Sequence, residues 1–147
     1  MVGLVVATHG SLSSGLKDAA QMLAGDLADF PTVSLVPGKE PSAFLAELEA
    51  AVDSADEGEG VVVLVDLFGG TPSNSVCRML GQKGVHAVSG VNLPMVLEGI
   101  FSRGEKTAEE LAEYLTQVGP GAIFDIEKRL AQNAASRTED EDDEDFE

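Results

Sequence analysis

Four short apolar runs along the chain have the pattern of buried β-strands. The runs VGLVVAT at 2–8 and VVVLVDL at 61–67 are the longest, and the second holds five consecutive Val or Leu residues. TVSLV at 32–36 and VHAVSG at 85–90 are shorter and are each followed by turn-forming residues. Such runs are typical of strands that are covered on both faces, as in a parallel sheet.

Segments with helical periodicity separate these runs. The first helix has Ser13 or Ser14 as its predicted N-cap. Its apolar stripe consists of Leu16, Ala19, Ala20, Leu23 and Leu27. Ser42 is the predicted cap of a second helix, which carries apolar residues on one side.

Three further helices are predicted in the second half of the chain. Thr71 and Pro72 suit the N-cap and first position of a helix that reaches about Gln82. Another begins near Pro94, and a last one covers 107–118. The alternation of strands and helices predicts an α/β fold, with a mainly parallel four-stranded sheet and helices on both faces.

The last quarter of the chain has a different character. Residues 119–121 (GPG) are expected to end the last helix, and AIFDI at 122–126 alternates like a half-buried strand, although the residues that follow would also suit a helix. The segment EDEDDEDFE at 139–147 holds eight acidic residues and no basic one. We therefore expect a single domain at 1–132 and an acidic tail at 133–147 that is disordered from about residue 137.

Composition narrows the class of protein. The net charge of −17 argues against nucleic acid or an anionic membrane surface as a partner, and about −9 remains outside the tail. No apolar run approaches the length needed to cross a bilayer, and no secretory signal is visible. The single cysteine, Cys77, excludes an intramolecular disulfide. We expect a cytoplasmic protein.

Candidate chemistry lies where two of the strands end. His9 follows the first strand and Asp66 closes the third, and ligands of open α/β sheets bind beyond the carboxyl ends of the strands. If these strands are neighbours, one pocket holds an imidazole, a carboxylate and a glycine-rich anion cradle. Such a pocket suits a phosphoryl group. The predicted cradle consists of Gly10, Gly69, Gly70 and Thr71.

Each of these residues also has a purely structural interpretation. A histidine at a strand end is often incidental, Asp66 can cap a turn, and the glycines can serve a tight strand-to-helix connection. The pattern is neither a Walker A loop nor GxGxxG, and no GxSxG motif is present. Too few ligands lie in this region to predict a metal site, and His86 begins a strand, so we interpret it as incidental.

Residues near the expected pocket mouth leave two interpretations open. Asn92 and Pro94 either start a helix or form the rim of the site. Cys77 is expected to be a small packed residue. Four apolar residues are either core or a docking patch for partner proteins: Leu12, Phe68, Met95 and Val96.

Three blocks together resemble a known family. VVATHGSLSSGL at 5–16, VDLFGGTPSNSVCRML at 65–80 and VSGVNLPMVLE at 88–98 are similar to the enzyme IIA domain of the mannose family of the phosphoenolpyruvate-dependent sugar phosphotransferase system. The resemblance runs from about residue 2 to residue 130. It is specific because the three blocks occur in the family's order and spacing.

The resemblance implies a phosphocarrier. His9 would accept a phosphoryl group from the histidine-containing phosphocarrier protein, on Nε2, and pass it to a IIB component on a separate chain. Asp66 would orient His9, and Thr71 matches a hydroxyl position beside the phosphoryl group. The resemblance implies no metal and no organic cofactor, and it does not give the sugar.

The resemblance also implies a homodimer, in which a C-terminal strand adds antiparallel to the partner's sheet, and this favours AIFDI as that strand. Two other functions remain open. One is the phosphotransfer subunit of a dihydroxyacetone kinase, and the other is a regulatory module that responds to its phosphorylation state.

Overall fold

The computed structural model describes residues 1–82 and 84–145, with side chains described up to residue 137. In the described residues, four strands alternate with four helices, two further helices follow, and a short 3₁₀ turn at Gly25–Leu27 comes after the first helix. The elements are β1 (Gly3–His9), α1 (Leu12–Ala24), β2 (Thr32–Leu35), α2 (Pro41–Ala55), β3 (Val61–Val65), α3 (Thr71–Cys77), β4 (Val85–Ser89), α4 (Leu93–Ser102), α5 (Ala108–Gly121) and α6 (Ile126–Asp145).

The four strands form one parallel sheet in the order β2-β1-β3-β4. Ala7 of β1 is paired with Val65 of β3, and His9 is level with Leu35 of β2. β1 and β3 are therefore the central pair, and each has neighbours on both sides. This confirms the predicted four-stranded parallel sheet.

Alternate residues of the central strands pack into two separate hydrophobic cores, one on each face of the sheet. Leu4, Val6, Val62 and Leu64 pack on one face under α1, α4 and α5. Val5, Ala7, Val61 and the rest of the odd-numbered set pack on the other face under α2 and α3. Strands buried on both faces read as continuous apolar runs, which is the pattern seen in the sequence. The prediction of helices on both faces is confirmed.

Helix starts differ from the prediction where tertiary contacts decide them. Neither Ser13 nor Ser14 is the N-cap of α1, because the helix begins at Leu12 after Ser11. Ser13 is instead fully buried, with its hydroxyl turned toward β2. α2 begins at Pro41 rather than after Ser42.

The start of α3 also differs from the prediction. Gly70 precedes the helix with φ of 86°, so Thr71 is its first residue rather than its cap. By contrast, Asn92 does cap α4, since its side chain accepts a hydrogen bond from the N–H of Met95.

Two predicted helix ends were wrong. α3 ends at Cys77 instead of Gln82, because the chain then tightens into turns with bonds between residues three apart, such as Met79 N–H to the carbonyl of Val76. Cys77 itself is exposed rather than packed. α5 continues through 119–121, since Pro120 lies in the last turn, where its missing N–H removes a single hydrogen bond.

The C-terminal segment forms no strand within the described chain. Four non-helical residues, 122–125, follow α5, and α6 then begins at Ile126, with Asp125 Oδ1 accepting from Lys128 N–H at 2.9 Å. AIFDI has no strand beside it in a single chain, whereas an aspartate cap followed by IEKRLAQNAA suits a helix. The antiparallel exchange with a second copy stays a prediction.

The predicted disordered tail is helical as far as the structure describes it. α6 passes through residue 133 and reaches Asp145, while Phe146 and Glu147 lie outside the described residues. The residues before the acidic run are good helix formers, and the helix continues from them into the run. The division of the chain at residue 132 stays a prediction.

None of the helices in the described part of the chain combines the length and the apolarity that spanning a membrane requires.

Candidate functional site

The topology of the sheet creates a crevice between β1 and β3. After β1 the chain passes to β2 on one side of β1, and after β2 it returns to β3 on the other side. The helices that follow β1 and β3 therefore lie on opposite faces of the sheet. Ligands of open α/β sheets bind at such switch points, beyond the carboxyl ends of the strands. His9 is the last residue of β1, and Asp66 is the first residue after β3.

The structure brings His9 and Asp66 together. The ring Nδ1 of His9 lies 2.9 Å from Oδ2 of Asp66, and the same oxygen accepts the backbone N–H of His9 at 3.1 Å. The other oxygen, Oδ1, accepts the N–H of Leu67 at 3.1 Å. The Asp66 side chain is 12% exposed, whereas that of His9 is 44% exposed. A held carboxylate therefore orients an imidazole that solvent and partners can reach.

The environment keeps Asp66 ionised. Burial acts to raise its pKa, but hydrogen bonds from the His9 ring, from the His9 backbone and from its own backbone act in the opposite direction, as does the charge of His9. The pKa of Asp66 consequently lies below its ordinary value of 3.8. The carboxyl group is a carboxylate at neutral pH.

The state of Asp66 determines the tautomer of a neutral His9. An ionised carboxylate only accepts hydrogen bonds, so the nitrogen facing it, Nδ1, carries the proton. The second nitrogen, Nε2, then keeps its lone pair. The arrangement can present a nucleophilic nitrogen on a fixed ring, with a negative charge on the far side to stabilise a cationic product.

The predicted cradle residues surround the ring unequally. A Cβ placed on Gly70 would lie 3.2 Å from both Nε2 and Cε1 of His9, so the backbone of Gly70 is adjacent to the nucleophilic edge. Gly69 and Gly70 both have positive φ, of 93° and 86°, as this turn requires. The N–H of Gly10 donates to the carbonyl of Leu35 at 2.8 Å, so that amide serves the turn after β1.

Thr71 is half-buried at the start of α3. Together with Gly10 and residues 35–39 it lines an open depression of about 410 Å³ at the carboxyl end of the sheet. Lys39 lies in the wall of this depression and is tied to the carbonyl of Ser34 and to Glu47, each at 2.7 Å. The depression continues the crevice to one side of the central pair.

Two hydroxyl residues close to His9 were missed as functional candidates in the sequence. Thr8 and Ser13 are fully buried, and Thr8 Oγ1 bonds to groups on both sides of the turn that carries His9. The sequence indicates Thr8 only as a polar residue between an apolar run and His9, at the start of THGSLSS. Hydroxyls at such turns are common, so that signal alone could not separate them from helix capping.

Other candidates lie elsewhere. Asn92 donates from Nδ2 to the carbonyl of Gly119 at 3.0 Å besides capping α4, which supports its helix-start interpretation. His86 lies within β4, paired with Val62, rather than at the carboxyl end of the strand. Among the residues whose side chains the structure describes, no group of three or more His, Cys, Asp or Glu side chains could hold a metal ion.

The four apolar residues of the predicted patch divide into two pairs. Met95 and Val96 are buried in the core beneath α4. Leu12 and Phe68 are 46% and 82% exposed, and they follow the two strand ends that carry His9 and Asp66. Only this second pair is available at the surface.

The fold and the site define the class of protein: a parallel α/β protein with an accessible imidazole and a partly buried carboxylate at the switch point of its sheet. Residues 3–116 match the family model EIIA-man, described as PTS system fructose IIA component, where PTS is the phosphotransferase system. The match covers more than half of the chain, and the chain belongs to this family. The resemblance predicted from the three sequence blocks is confirmed.

Curated relatives agree with this assignment. The chain is 28% identical over 136 residues to the PTS system mannose-specific EIIAB component of Escherichia coli K12, with 91% of this chain covered but 42% of the relative. The chain thus spans less than half the length of that protein. It is also 27% identical to the PTS system fructose-specific EIIA component of Bacillus subtilis, with 78% and 80% of the two chains covered.

Solved structures agree as well. The mannose/sorbose specific IIA subunit from Enterococcus faecalis superposes with a TM-score of 0.78 at 34% identity, covering 84% of this chain and 93% of that one. A PTS IIA protein associated with the fucose utilization operon of Streptococcus pneumoniae superposes with a TM-score of 0.73 at 31% identity. The superposition covers 88% of this chain and 99% of that one. The fold is therefore that of PTS IIA proteins.

Proposed function

We propose that the chain is a cytoplasmic phosphocarrier of sugar uptake, which accepts a phosphoryl group on Nε2 of His9 and passes it on. The donor is the histidine-containing phosphocarrier protein, and the acceptor is a IIB component. The observation that carries the proposal is the 2.9 Å contact between His9 Nδ1 and Asp66 Oδ2 beside an open Nε2. Family membership supports a role in phosphotransfer.

The transfer balances without a cofactor. The lone pair of Nε2 attacks the phosphorus of the donor's phosphohistidine and forms a new P–N bond, while the electron pair of the broken P–N bond returns to the donor nitrogen. The proton on Nδ1 stays in place, so the His9 ring gains positive charge as the bond forms. Asp66 stabilises that charge, and the same steps in reverse deliver the group to the IIB component.

The turn before α3 supplies surroundings for the phosphoryl oxygens. Gly70 is the residue next to Nε2, and the absence of a side chain there leaves room for an incoming group. Gly69 and Thr71 flank Gly70, and the Thr71 hydroxyl is the side-chain donor that we assign to a phosphoryl oxygen. Gly10 contributes through the shape of the turn after β1, since its amide is already bonded to Leu35.

Phosphorylation of the purified chain tests the proposal. Incubation with phosphoenolpyruvate, enzyme I and the histidine-containing phosphocarrier protein is expected to add one phosphoryl group, measured by intact mass. The group should be lost in acid and kept in alkali, as a phosphoramidate is. No mass gain, or a gain that survives acid as a serine or threonine phosphate would, contradicts the proposal.

Gly70→Ala is expected to slow phosphoryl acceptance by tenfold or more. The added methyl group would stand 3.2 Å from Nε2 of His9, where the incoming phosphorus must pass, and a misplacement of about 1 Å costs roughly 100-fold in transfer reactions. Rapid-quench measurement of the single-turnover rate gives the effect.

Gly81→Ala is the matched control for that variant. Gly81 has a similar φ of 79°, but a Cβ there would meet nothing within 4 Å. Both substitutions carry the backbone strain of a positive φ, but Gly70, with ψ of 173°, lies in a region that is essentially restricted to glycine, so Gly70→Ala should lose about 1–3 kcal/mol of stability. The transfer rates are therefore compared at a temperature at which both variants are folded. Equal transfer rates in the two variants would remove Gly70 from the site.

A homodimer is the second part of the proposal. Four large apolar side chains at the C-terminal end are 53–78% exposed in the described chain, and a second copy would cover them. They are Ile123, Phe124, Ile126 and Leu130.

The dimer predicts a sedimentation mass of twice the 15.3 kDa chain. The double substitution Phe124→Asp with Leu130→Asp is expected to give the single-chain mass, because it places charges in the buried contact. Met22→Asp changes a large apolar residue on α1 that is even more exposed, at 86%, and should leave the dimer intact. A wild-type chain that sediments at the single mass contradicts the dimer.

A further inference from the structure

Thr8 lies in strand β1 between its apolar part and His9, the last residue of the strand. Residues 4–7 of the strand are Leu, Val and Ala, and Thr8 is as fully buried as they are. A valine has the same branched shape and suits a buried strand at least as well, so side-chain packing within the strand does not call for a hydroxyl at this position. The hydroxyl is worth burying only for the bonds that it makes.

Those bonds lead to both sides of the turn that carries His9. Thr8 Oγ1 donates to the carbonyl of His9 at 3.1 Å and accepts the N–H of Ser13 at 2.8 Å. One hydroxyl thus links the peptide that follows His9 to the first turn of α1. The phosphotransfer chemistry described above uses neither bond.

Ser13 anchors this link to the neighbouring strand. Its hydroxyl donates to the carbonyl of Val33 at 3.1 Å and lies 3.0 Å from Oγ of Ser34, so the first turn of α1 is bound to β2. Ser13 is fully buried too. The chain of contacts from β2 through Ser13 and Thr8 to His9 is therefore held inside the protein, away from competing water.

The geometry of the His9–Asp66 contact depends on such an anchor. A single oxygen, Asp66 Oδ2, accepts from the backbone N–H and from the ring Nδ1 of the same residue. Both bonds form together only when the backbone of His9 and its ring torsions take one combination. Asp66 holds the N–H of His9, and Thr8 holds its carbonyl, so the two peptide groups that flank the ring are each fixed by a side chain.

We propose that Thr8 is a positioning residue, whose hydroxyl keeps the His9 ring with Nδ1 on Asp66 and Nε2 outward. The inference rests on the proposed function for its kinetic consequence, but its structural content concerns the resting protein. Without the hydroxyl, the peptide after His9 keeps the bond from the Gly10 N–H to the carbonyl of Leu35 but loses its anchor on the carbonyl side, and the ring exchanges between orientations.

Thr8→Val and Thr8→Ser form the matched pair that tests the inference. Long-range ¹H–¹⁵N correlation spectra of the ¹⁵N-labelled, unphosphorylated protein report which ring nitrogen carries the proton. We expect wild type and Thr8→Ser to show a single form with the proton on Nδ1. Thr8→Val should show exchange between both forms, because the bond to the His9 carbonyl is lost.

The rate of phosphoryl acceptance should follow the same order. Thr8→Val is expected to be roughly tenfold slower, the equivalent of one lost hydrogen bond, whereas Thr8→Ser stays within about twofold of wild type. Should Thr8→Val fail to fold, as judged by circular dichroism, Thr8→Ala removes the same hydroxyl without new bulk and takes its place.

The two readouts separate this inference from the proposed function. A wild-type chain that takes no phosphoryl group contradicts the function, while the tautomer spectra still decide the role of Thr8. Wild-type spectra in Thr8→Val overturn the positioning role. So does a loss in Thr8→Ser as large as in Thr8→Val, since the effect would then come from packing rather than from the hydroxyl.

Discussion

Replacing His9 with glutamine is expected to abolish phosphoryl acceptance. The glutamine amide matches the imidazole in polarity and approximate reach, but its nitrogen has no free lone pair and cannot form the P–N bond. Loss of a nucleophile typically costs several orders of magnitude in rate, so the mass gain seen for wild type should be undetectable on the same time scale. Intact mass after incubation with the donor proteins measures the outcome.

His86→Gln is the control for that experiment, because His86 is the second of the two histidines in the chain. It lies within β4 rather than in the crevice. We expect it to accept one phosphoryl group at the wild-type rate. A phosphoryl group that persists in His9→Gln and disappears in His86→Gln would move the site to the far strand.

Asp66→Asn is expected to slow transfer by roughly 100-fold while leaving the fold intact. The amide retains the shape of the carboxylate, but it loses the charge that supports the cationic ring and the charge-assisted hydrogen bond that fixes the Nδ1 tautomer. Single-turnover rates measure the effect, with circular dichroism as the check on folding. A transfer rate equal to that of wild type would remove Asp66 from the mechanism.

The pH dependence of stability offers an independent test of the same residue. The pKa of Asp66 is lower in the folded chain than its ordinary value of 3.8, so the folded state favours the carboxylate. The stabilisation is therefore fully present above about pH 4 and is lost as the pH falls through the lower folded pKa. The difference in unfolding temperature between wild type and Asp66→Asn should be largest near neutral pH and should shrink below about pH 4.

The strands could be predicted from the sequence because a strand that is buried on both faces is a continuous apolar run, and the runs of β1 and β3 end at the site. His9 and Asp66 could be singled out for the same reason, since each marks the end of such a run. Their contact could not be derived from periodicity, because it depends on β1 and β3 being neighbours. The resemblance of the three blocks implied that Asp66 orients His9, and the structure shows the two strands to be neighbours.

The roles of the serines after His9 could not be predicted locally. Ser13 and Ser14 are equivalent as cap candidates in the sequence, but the helix begins after Ser11, and β2 and Thr8 bind Ser13 from outside the helix. The conformation of the C-terminal segment in a single chain could not be predicted for a related reason. A strand needs a neighbour, and AIFDI has none among the described residues of one chain, whereas Asp125 can start a helix unaided.

The two hydrogen bonds of His9 to one oxygen of Asp66 have a kinetic consequence. Because His9 is held at its backbone and at Nδ1, its ring cannot move between two positions. Under the proposed function, the phosphoryl group therefore arrives and departs at the same point. The donor protein and the acceptor protein must then bind to the same face of the chain in turn, and the binding of one excludes the other. The exchange should follow ping-pong kinetics, in which an excess of either unphosphorylated partner competes with the other.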